Sequence, residues 1–240
     1  MNNSFANMRT DLALEQKEIL QEGQPEGSEI DGVEIETEEF GDVIVTWVKI
    51  VNSEGEKAMG KSMGNYITIE SPAMKDNDAE AHEDIIKIMA QKLGQLHNLN
   101  KNSSILAAGL GNWQVTPDAL GPKVINKLLV TRHMNDIMPD ELRDHVRSVA
   151  AIAPGVMGTT GIETGEIIKG VAEKVTPDLI IAIDALAARR TSRINATIQI
   201  TDTGINPGAG LGNARMKLNK ETLGIPVIAI GVPTVYIMQI

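Results

Sequence analysis

The stretch Leu179-Ile-Ile-Ala-Ile-Asp184 decides the fold prediction, because five aliphatic residues follow one another and end on an acid. A run of this kind is typical of a strand that is buried on both faces of a parallel sheet. Similar runs lie at 104–108, 149–153, 197–200 and 225–230, with helical patterns between them at about 122–130 and 161–174. This alternation predicts an α/β fold with a mainly parallel sheet flanked by helices.

The first part of the chain follows a different pattern. Apolar and polar residues alternate at 33–36, 43–50 and 66–70, with glycine-containing turns between, which predicts an N-terminal antiparallel β meander over 33–70. Helical spacing of apolar residues predicts a helix over 79–96. Residues 1–30 are polar, and we expect a short helix over 11–21 that is not anchored to a core.

Composition excludes several classes of protein. The 240 residues are 42% hydrophobic and 22% charged, as in a folded domain, and only 2% are aromatic, so the core must be aliphatic. The absence of cysteine excludes disulfides, thiolate metal sites and a cysteine nucleophile. The net charge of −10 argues against direct binding of nucleic acid. No run approaches the about 18 apolar residues of a membrane span, and no signal peptide begins the chain, so we expect a cytoplasmic protein.

Three glycine-containing motifs are weak candidates for function. Gly60-Lys-Ser-Met-Gly64 has the spacing of a hydrolase nucleophile elbow, but a polar turn precedes it and a strand follows it. The loops Gly109-Leu-Gly-Asn112 and Gly208-Ala-Gly-Leu-Gly212 lack the order of strand, three glycines and helix that binds dinucleotides. We interpret all three as turns.

Histidines and one further acid are also weak candidates. None of the four histidines has a second histidine at metal-binding spacing, so no metal ligand is assigned; they are His82, His97, His133 and His145. Asp202-Thr-Gly204 matches the motif of pepsin-like proteases, but those enzymes use two copies on an all-β frame. A turn after the strand at 197–200 is the better interpretation.

Asp118 and Asp184 are the strongest candidates from position alone. Asp184 ends its aliphatic run, and Asp118 follows the strand at 104–108 after a glycine turn. Ligands of open α/β sheets bind at the carboxyl ends of strands, so the two acids could face each other there. Two carboxyls held close share a proton, so that one can act as base on water and the other as acid. The alternative is that each acid caps a following helix.

The same segments resemble the germination (spore) protease family of endospore-forming bacteria. The likeness runs from about Arg9 to Val235 and includes long specific phrases. These are Gly109-Leu-Gly-Asn-Trp-Gln-Val-Thr-Pro-Asp-Ala-Leu-Gly-Pro122, Leu129-Val-Thr-Arg-His133, Ala153-Pro-Gly-Val-Met-Gly158, Gly161-Ile-Glu-Thr164, Ile183-Asp-Ala-Leu-Ala-Ala-Arg189, Thr197-Ile-Gln-Ile-Thr-Asp-Thr-Gly-Ile205 and Leu223-Gly-Ile-Pro-Val-Ile-Ala-Ile-Gly-Val-Pro-Thr234.

The resemblance implies an atypical aspartic endopeptidase that degrades small acid-soluble spore proteins during germination, in the spore core, without a cofactor. Its fold is similar to that of hydrogenase-maturation endopeptidases, and its two catalytic aspartates match Asp118 and Asp184. The family is made as an autoprocessed zymogen and forms homotetramers. Arg9-Thr-Asp-Leu-Ala-Leu-Glu15 matches the processing region, which implies a propeptide over 1–12, a cut near Leu12 and Ala13, and a single protease domain over 13–240.

One departure from the family leaves two rivals open. Members usually continue with helical sequence where this chain ends at Tyr236-Ile-Met-Gln-Ile240, so we expect the C-terminal helical part to be missing. The first rival is therefore a catalytically inactive, oligomerising or binding protein of the same fold. The second is a metal-dependent maturation-type endopeptidase, which fold analogy alone suggests.

Overall fold

The computed structural model describes residues 10–22, 29–76, 78–134, 137–139, 141, 145–208 and 215–237, and its α/β class confirms the prediction. The strands within these ranges are β1 (Val33–Phe40), β2 (Val43–Ile50), β3 (Gly64–Glu70), β4 (Ile105–Gly109), β5 (Val149–Ile152), β6 (Leu179–Ala188), β7 (Thr197–Thr201) and β8 (Val227–Tyr236). The helices there are α1 (Ala13–Gln21), α2 (Ser53–Met59), α3 (Ala79–Leu96), α4 (Leu120–Lys127), α5 (Met157–Thr160), α6 (Thr164–Val175) and α7 (Lys220–Leu223).

The described residues form two compact units. The first unit takes its residues from Met1–Leu93, Leu186–Thr201 and Val232–Ile240, and the second from Gly94–Ala185 and Asp202–Gly231. Strands β6 and β8 each begin in the second unit and end in the first. The single domain that the sequence predicts over 13–240 stays a prediction.

The first unit contains the predicted meander, which is confirmed. Strands β1, β2, β3 and β7 lie in that order, and each neighbouring pair is antiparallel. The sequence pattern placed the run at 197–200 among the parallel strands, and that was wrong, because β7 pairs antiparallel with β3. The apolar residues under this sheet form one cluster, which includes Ala13, Val48, Ile50, Met59 and Tyr66.

Helix α1 is part of that core, so the prediction of an unanchored helix was wrong. Ala13 is fully buried and Ile19 is 3% exposed. The helix has a weak apolar stripe because its buried face also carries acids, and Glu15 is fully buried. These acids bind cationic and main-chain groups of residues 189–193, which no local pattern reveals.

The polar segment before Gly60 is a helix, and its interpretation as a turn was wrong. The Asn52 side chain accepts a hydrogen bond from the Gly55 main-chain N–H and caps the start of α2. Gly60 ends the helix in the left-handed conformation, at φ +60°. Ser62 therefore follows a helix and precedes a strand, which is the reverse of a nucleophile elbow.

The second unit has the parallel pairing that the aliphatic runs predict. Its strand order is β8-β6-β4-β5, and β4 pairs in parallel with both β5 and β6. Side chains of β4, α6 and β6 form its core, together with Leu218, Leu223 and Val227.

The helix predicted over 79–96 matches α3. Helix α4 begins two residues earlier than predicted, and helix α6 begins three residues later. No helix of the described ranges is long and apolar enough to cross a membrane.

Candidate active site

Asp184 lies inside a strand and not at its end. The sequence placed it at the end of an aliphatic strand, but β6 continues through Ala188. The parallel pairing with β4 nevertheless stops at the pair Gly109–Ile183, one residue before Asp184. Asp184 is 7% exposed, and its Oδ1 accepts a hydrogen bond from the Ala185 main-chain N–H at 2.9 Å. The acid is therefore buried at the point where the neighbouring strand leaves the sheet.

Asp118 lies at the end of the loop that follows β4. The single 3₁₀ turn Thr116–Asp118 ends on it, and its Oδ2 accepts a hydrogen bond from the Asn112 main-chain N–H at 2.8 Å. Gly111 has φ +106°, and a Cβ built there would lie 2.0 Å from the Asp118 main-chain oxygen. The glycine turn predicted from the sequence is therefore what lets the loop fold back against Asp118.

Close packing joins the two acid-bearing segments within the second unit. The Leu110 main-chain N–H donates to the Ile183 carbonyl at 2.8 Å. A Cβ at Gly121, in the first turn of α4, would lie 2.3 Å from the Leu110 oxygen and 2.5 Å from the Ile183 oxygen. Gly121, three residues after Asp118, thus packs directly on the residue before Asp184. Only glycine permits this approach.

Neither acid caps a helix. The residue before α4 is Ala119, which makes no side-chain cap, and the Asp118 carboxylate binds Asn112 instead. No helix begins after Asp184, because the strand continues. The capping interpretation of the two acids was therefore wrong.

The surroundings of Asp118 favour its protonated form. Burial raises the pKa of Asp118, and the Asn112 N–H and the positive charge of Arg215 oppose that rise. A carboxyl with a raised pKa keeps its proton to higher pH, which suits a proton donor.

The Asp202-Thr-Gly204 motif lies in a turn, and His82 lies in α3. Gly204, in the Asp202-Thr-Gly204 motif, has φ +76°, and a Cβ there would lie 2.0 Å from the Leu218 oxygen, so a turn after β7 is the fitting interpretation. Part of the loop 208–212 lies outside the described residues. The His82 ring lies 3.2 Å from the Ala73 carbonyl oxygen. Across the described ranges, no three His, Asp or Glu side chains are grouped so that they could hold a metal ion.

The predicted processing residues are buried in the first unit. Leu12 and Ala13 are both fully buried, and the Ala13 N–H donates to the Gln199 side chain at 2.7 Å. Cleavage between them would require this segment to leave its place. The cut stays a prediction.

Sequence reasoning missed the groups that bind this N-terminal segment. Lys61, Gln199 and Arg193 contact it directly. Lys61 was considered only as part of the motif Gly60-Lys-Ser-Met-Gly64. The available signal was the spacing of acids at Asp11, Glu15 and Glu18, which a polar surface helix would show equally.

A family profile and the relatives described below all carry the name germination protease. The sequence profile of a family described as germination protease matches residues 11–239. A germination protease of Clostridium tetani is 54% identical over 229 residues, which are 95% of this chain and 70% of that protein. One of Caldanaerobacter subterraneus is 52% identical over 95% of this chain and 69% of its own length. One of Priestia megaterium is 51% identical, over 95% and 63%.

Proposed function

The chain belongs to the germination protease family, and from that premise we propose that it is an aspartic-type endopeptidase that degrades small acid-soluble spore proteins during germination. The relatives carry the name germination protease, so peptidase activity follows from family membership. The observation that supports the aspartic type is the meeting of two acid-bearing segments where β4 leaves β6.

In this mechanism the two acids divide the proton transfers. Asp184, as a carboxylate, takes a proton from water while the water oxygen attacks the peptide carbonyl carbon. Asp118, whose pKa burial raises, acts as the acid and gives its proton to the carbonyl oxygen. When the C–N bond breaks, Asp184 returns its proton to the leaving amine, and the oxygen-bound proton restores Asp118. No group on the enzyme becomes covalently attached to the substrate.

We further propose that the chain is a zymogen that removes residues 1–12 itself, by a cut near Leu12 and Ala13. A segment tethered to its own enzyme has a high effective concentration. The raised pKa of Asp118 implies that mild acid increases the protonated fraction of this acid and speeds the cut. We also propose that the chain forms a homotetramer and acts in the spore core without a cofactor. It binds neither nucleic acid nor membrane.

Cleavage of a purified small acid-soluble spore protein tests the function. We expect the chain to produce peptides with cuts beside acidic residues, and chelator to leave the rate unchanged. Intact substrate with a folded enzyme would favour the inactive binding protein, and loss of activity in chelator would favour the metal-dependent peptidase. N-terminal sequencing after incubation in mild acid tests the self-cleavage separately, and an intact Met1 in an active sample would contradict it.

A further inference from the structure

The loop between β4 and α4 exposes two large apolar side chains next to a proposed catalytic acid. Residues 113–117 of this loop are all exposed, and Asp118 follows them directly. Trp113 is 54% exposed and Val115 is 44% exposed. The chain contains only two tryptophans, so one of its largest apolar side chains remains in water beside this acid. Large apolar side chains grouped at a surface are typical of a binding site.

Hydrogen bonds hold this loop in one conformation. The Asn112 N–H donates to the Asp118 carboxylate at 2.8 Å, and the Gln114 N–H donates to the Asn112 side-chain oxygen at 2.9 Å. The Val115 N–H donates to the Asn112 carbonyl at 3.1 Å, and the Asp118 N–H donates to the Val115 carbonyl at 2.8 Å. Trp113 is therefore part of an ordered turn, so a ligand that packs on its indole does not have to order the loop first.

Trp113 lies one residue from the group that binds the Asp118 carboxylate. Adjacent Cα atoms are about 3.8 Å apart, and the donor to Asp118 is the N–H of the preceding residue, Asn112. A peptide that places a carbonyl group within hydrogen-bond reach of Asp118 therefore brings its neighbouring side chains within reach of the indole. The indole is apolar, which favours an apolar side chain in the peptide.

A second segment at the same edge of the sheet also exposes apolar side chains. The parallel pairing of β4 and β5 ends at the pair Ala108–Ile152, so both strands leave the sheet on the same side. After β5, Met157 is 48% exposed and Ile162 is 49% exposed. Asp184 follows the last pair of β6 with β4, at that same edge. Exposed apolar side chains are therefore grouped at the carboxyl edge of the parallel strands, where ligands bind in open α/β sheets.

We propose that Trp113 is a substrate-binding residue, whose indole packs against an apolar side chain of the bound peptide close to the bond that is cut. The occupant is the peptide substrate, because Trp113 belongs to the same hydrogen-bonded loop as Asp118. The proposal rests on the proposed function, in which Asp118 gives its proton to the peptide carbonyl. Val115, two residues further along the loop, extends the apolar surface.

Fluorescence of Trp113 tests peptide binding without catalysis. The protein is the full chain with Trp47→Phe, after incubation in mild acid, so that Trp113 is its only tryptophan. The probes are acetyl-Gly-Glu-Leu-Ala-Gly-Glu-amide and the same peptide with Ser for Leu, and stopped flow records the emission before turnover. Because a leucine side chain leaves water, we expect the Leu peptide to shift the emission to shorter wavelength and to bind about tenfold tighter than the Ser peptide.

Kinetics of peptide cleavage test the same residue in the active enzyme. Trp113→Ala should raise the KM for the Leu peptide about tenfold and leave kcat within about twofold, because packing on an indole stabilises the bound substrate and the transition state equally. Trp113→Phe keeps an aromatic ring and should retain most of the affinity. In Trp113→Ala the difference in KM between the Leu and Ser peptides should largely disappear.

Leu129→Ala is the matched control. Leu129 is 77% exposed and lies two residues before Thr131, whose N–H donates to the carbonyl of Val149 at the start of β5. It is thus an exposed apolar residue near the opposite edge of the sheet, and its loss should leave KM unchanged. Circular dichroism checks the folding of every variant. If Trp47→Phe does not fold, the difference in emission between the parent and Trp113→Phe gives the signal of Trp113.

A Trp113 emission that both peptides change alike or leave unchanged would overturn the proposal, as would a KM that Trp113→Ala leaves at the parent value. Failure of the proposed function gives a different result. In that case the wild-type chain would cut neither the Leu peptide nor spore protein, while the emission of Trp113 would still distinguish the Leu peptide from the Ser peptide.

Discussion

Glu15 and Glu18 of the first unit and Asp118 and Asp184 of the second have different partners. In the first unit the fully buried Glu15 lies 3.4 Å from the Arg193 guanidinium, and Glu18 lies 2.7 Å from it. In the second unit Asp118 and Asp184 accept main-chain N–H groups. A guanidinium stabilises a carboxylate in its charged form, whereas burial favours the protonated form of Asp118. The difference teaches that Glu15 and Glu18 hold the structure as charged groups, whereas the raised pKa of Asp118 suits an acid that donates a proton.

Arg193→Met should have the largest effect on stability. Arg193 is 6% exposed and pairs with the fully buried Glu15 as well as with Glu18 and Glu70, so its loss leaves a buried carboxylate without its cation. Breaking a buried ion pair in this way costs about 3–5 kcal/mol of unfolding free energy. Urea denaturation followed by circular dichroism measures it.

The matched control is Arg190→Met. Its side chain is 53% exposed and pairs with Glu18 at 3.2 Å, so its removal should cost no more than about 1 kcal/mol. An equal loss in the two variants would contradict a structural role of the buried charges.

Gly121→Ala should damage the second unit by a smaller amount. A Cβ there meets the Leu110 and Ile183 oxygens at 2.3 and 2.5 Å, which forces α4 away from the segment that carries Asp184. Overpacking of this kind costs about 1–3 kcal/mol, and we expect peptidase activity to fall with it.

Gly170→Ala is the control for that variant. Gly170 lies within α6, and a Cβ there has no neighbour within 4 Å, so alanine should stabilise the helix by about 0.5–1 kcal/mol. Thermal unfolding and a peptidase assay distinguish the two variants. If Gly121→Ala keeps the activity of the parent, the proposed link between this packing and the site is wrong.

The dependence of activity on pH should reveal the raised pKa of Asp118. If Asp118 is the acid, the rate falls as pH rises through its pKa, because the proton is lost. The charge of Arg215 lowers this pKa, so Arg215→Met should move the fall to higher pH, by less than about one unit. The measurement is kcat/KM against pH, with Lys220→Met as a control of equal charge. A shift to lower pH in Arg215→Met would refute the assignment.

Ser62→Ala should have the smallest effect. Ser62 lies between a helix and a strand, in the reverse of the order that an elbow needs, so the peptidase rate should stay near that of the parent. Loss of activity with an unchanged circular dichroism spectrum would restore the serine interpretation.

The sequence predicted best where local periodicity decides the structure. Helix α3 and the parallel strand β4 follow directly from apolar spacing. The end of β6 did not, because its last residues, Ala-Leu-Ala-Ala, favour helix as much as strand and become a strand only by pairing. Helix α1 was misjudged for a similar reason, since the partners of Glu15 and Glu18 lie more than 170 residues away.

Their positions in the sequence identified Asp118 and Asp184 as candidate acids, but did not predict how the two segments pack. An aliphatic run followed by Asp predicted that Asp184 lies near the carboxyl end of a parallel pairing, and the pairing ends at Ile183. The sequence could not show that Gly121 packs on that residue, because such contact depends on the path of the loop between Gly111 and Asp118.

Asp118 and Asp184 are proposed to act together as acid and base. The measurement is the rate of spore-protein cleavage by Asp118→Asn, Asp184→Asn and Asp202→Asn, each checked for folding by circular dichroism. We expect the first two to lose at least about 100-fold in rate, as removal of a general acid or base does, and Asp202→Asn to keep substantial activity. An inactive Asp202→Asn beside an active Asp184→Asn would contradict the claim.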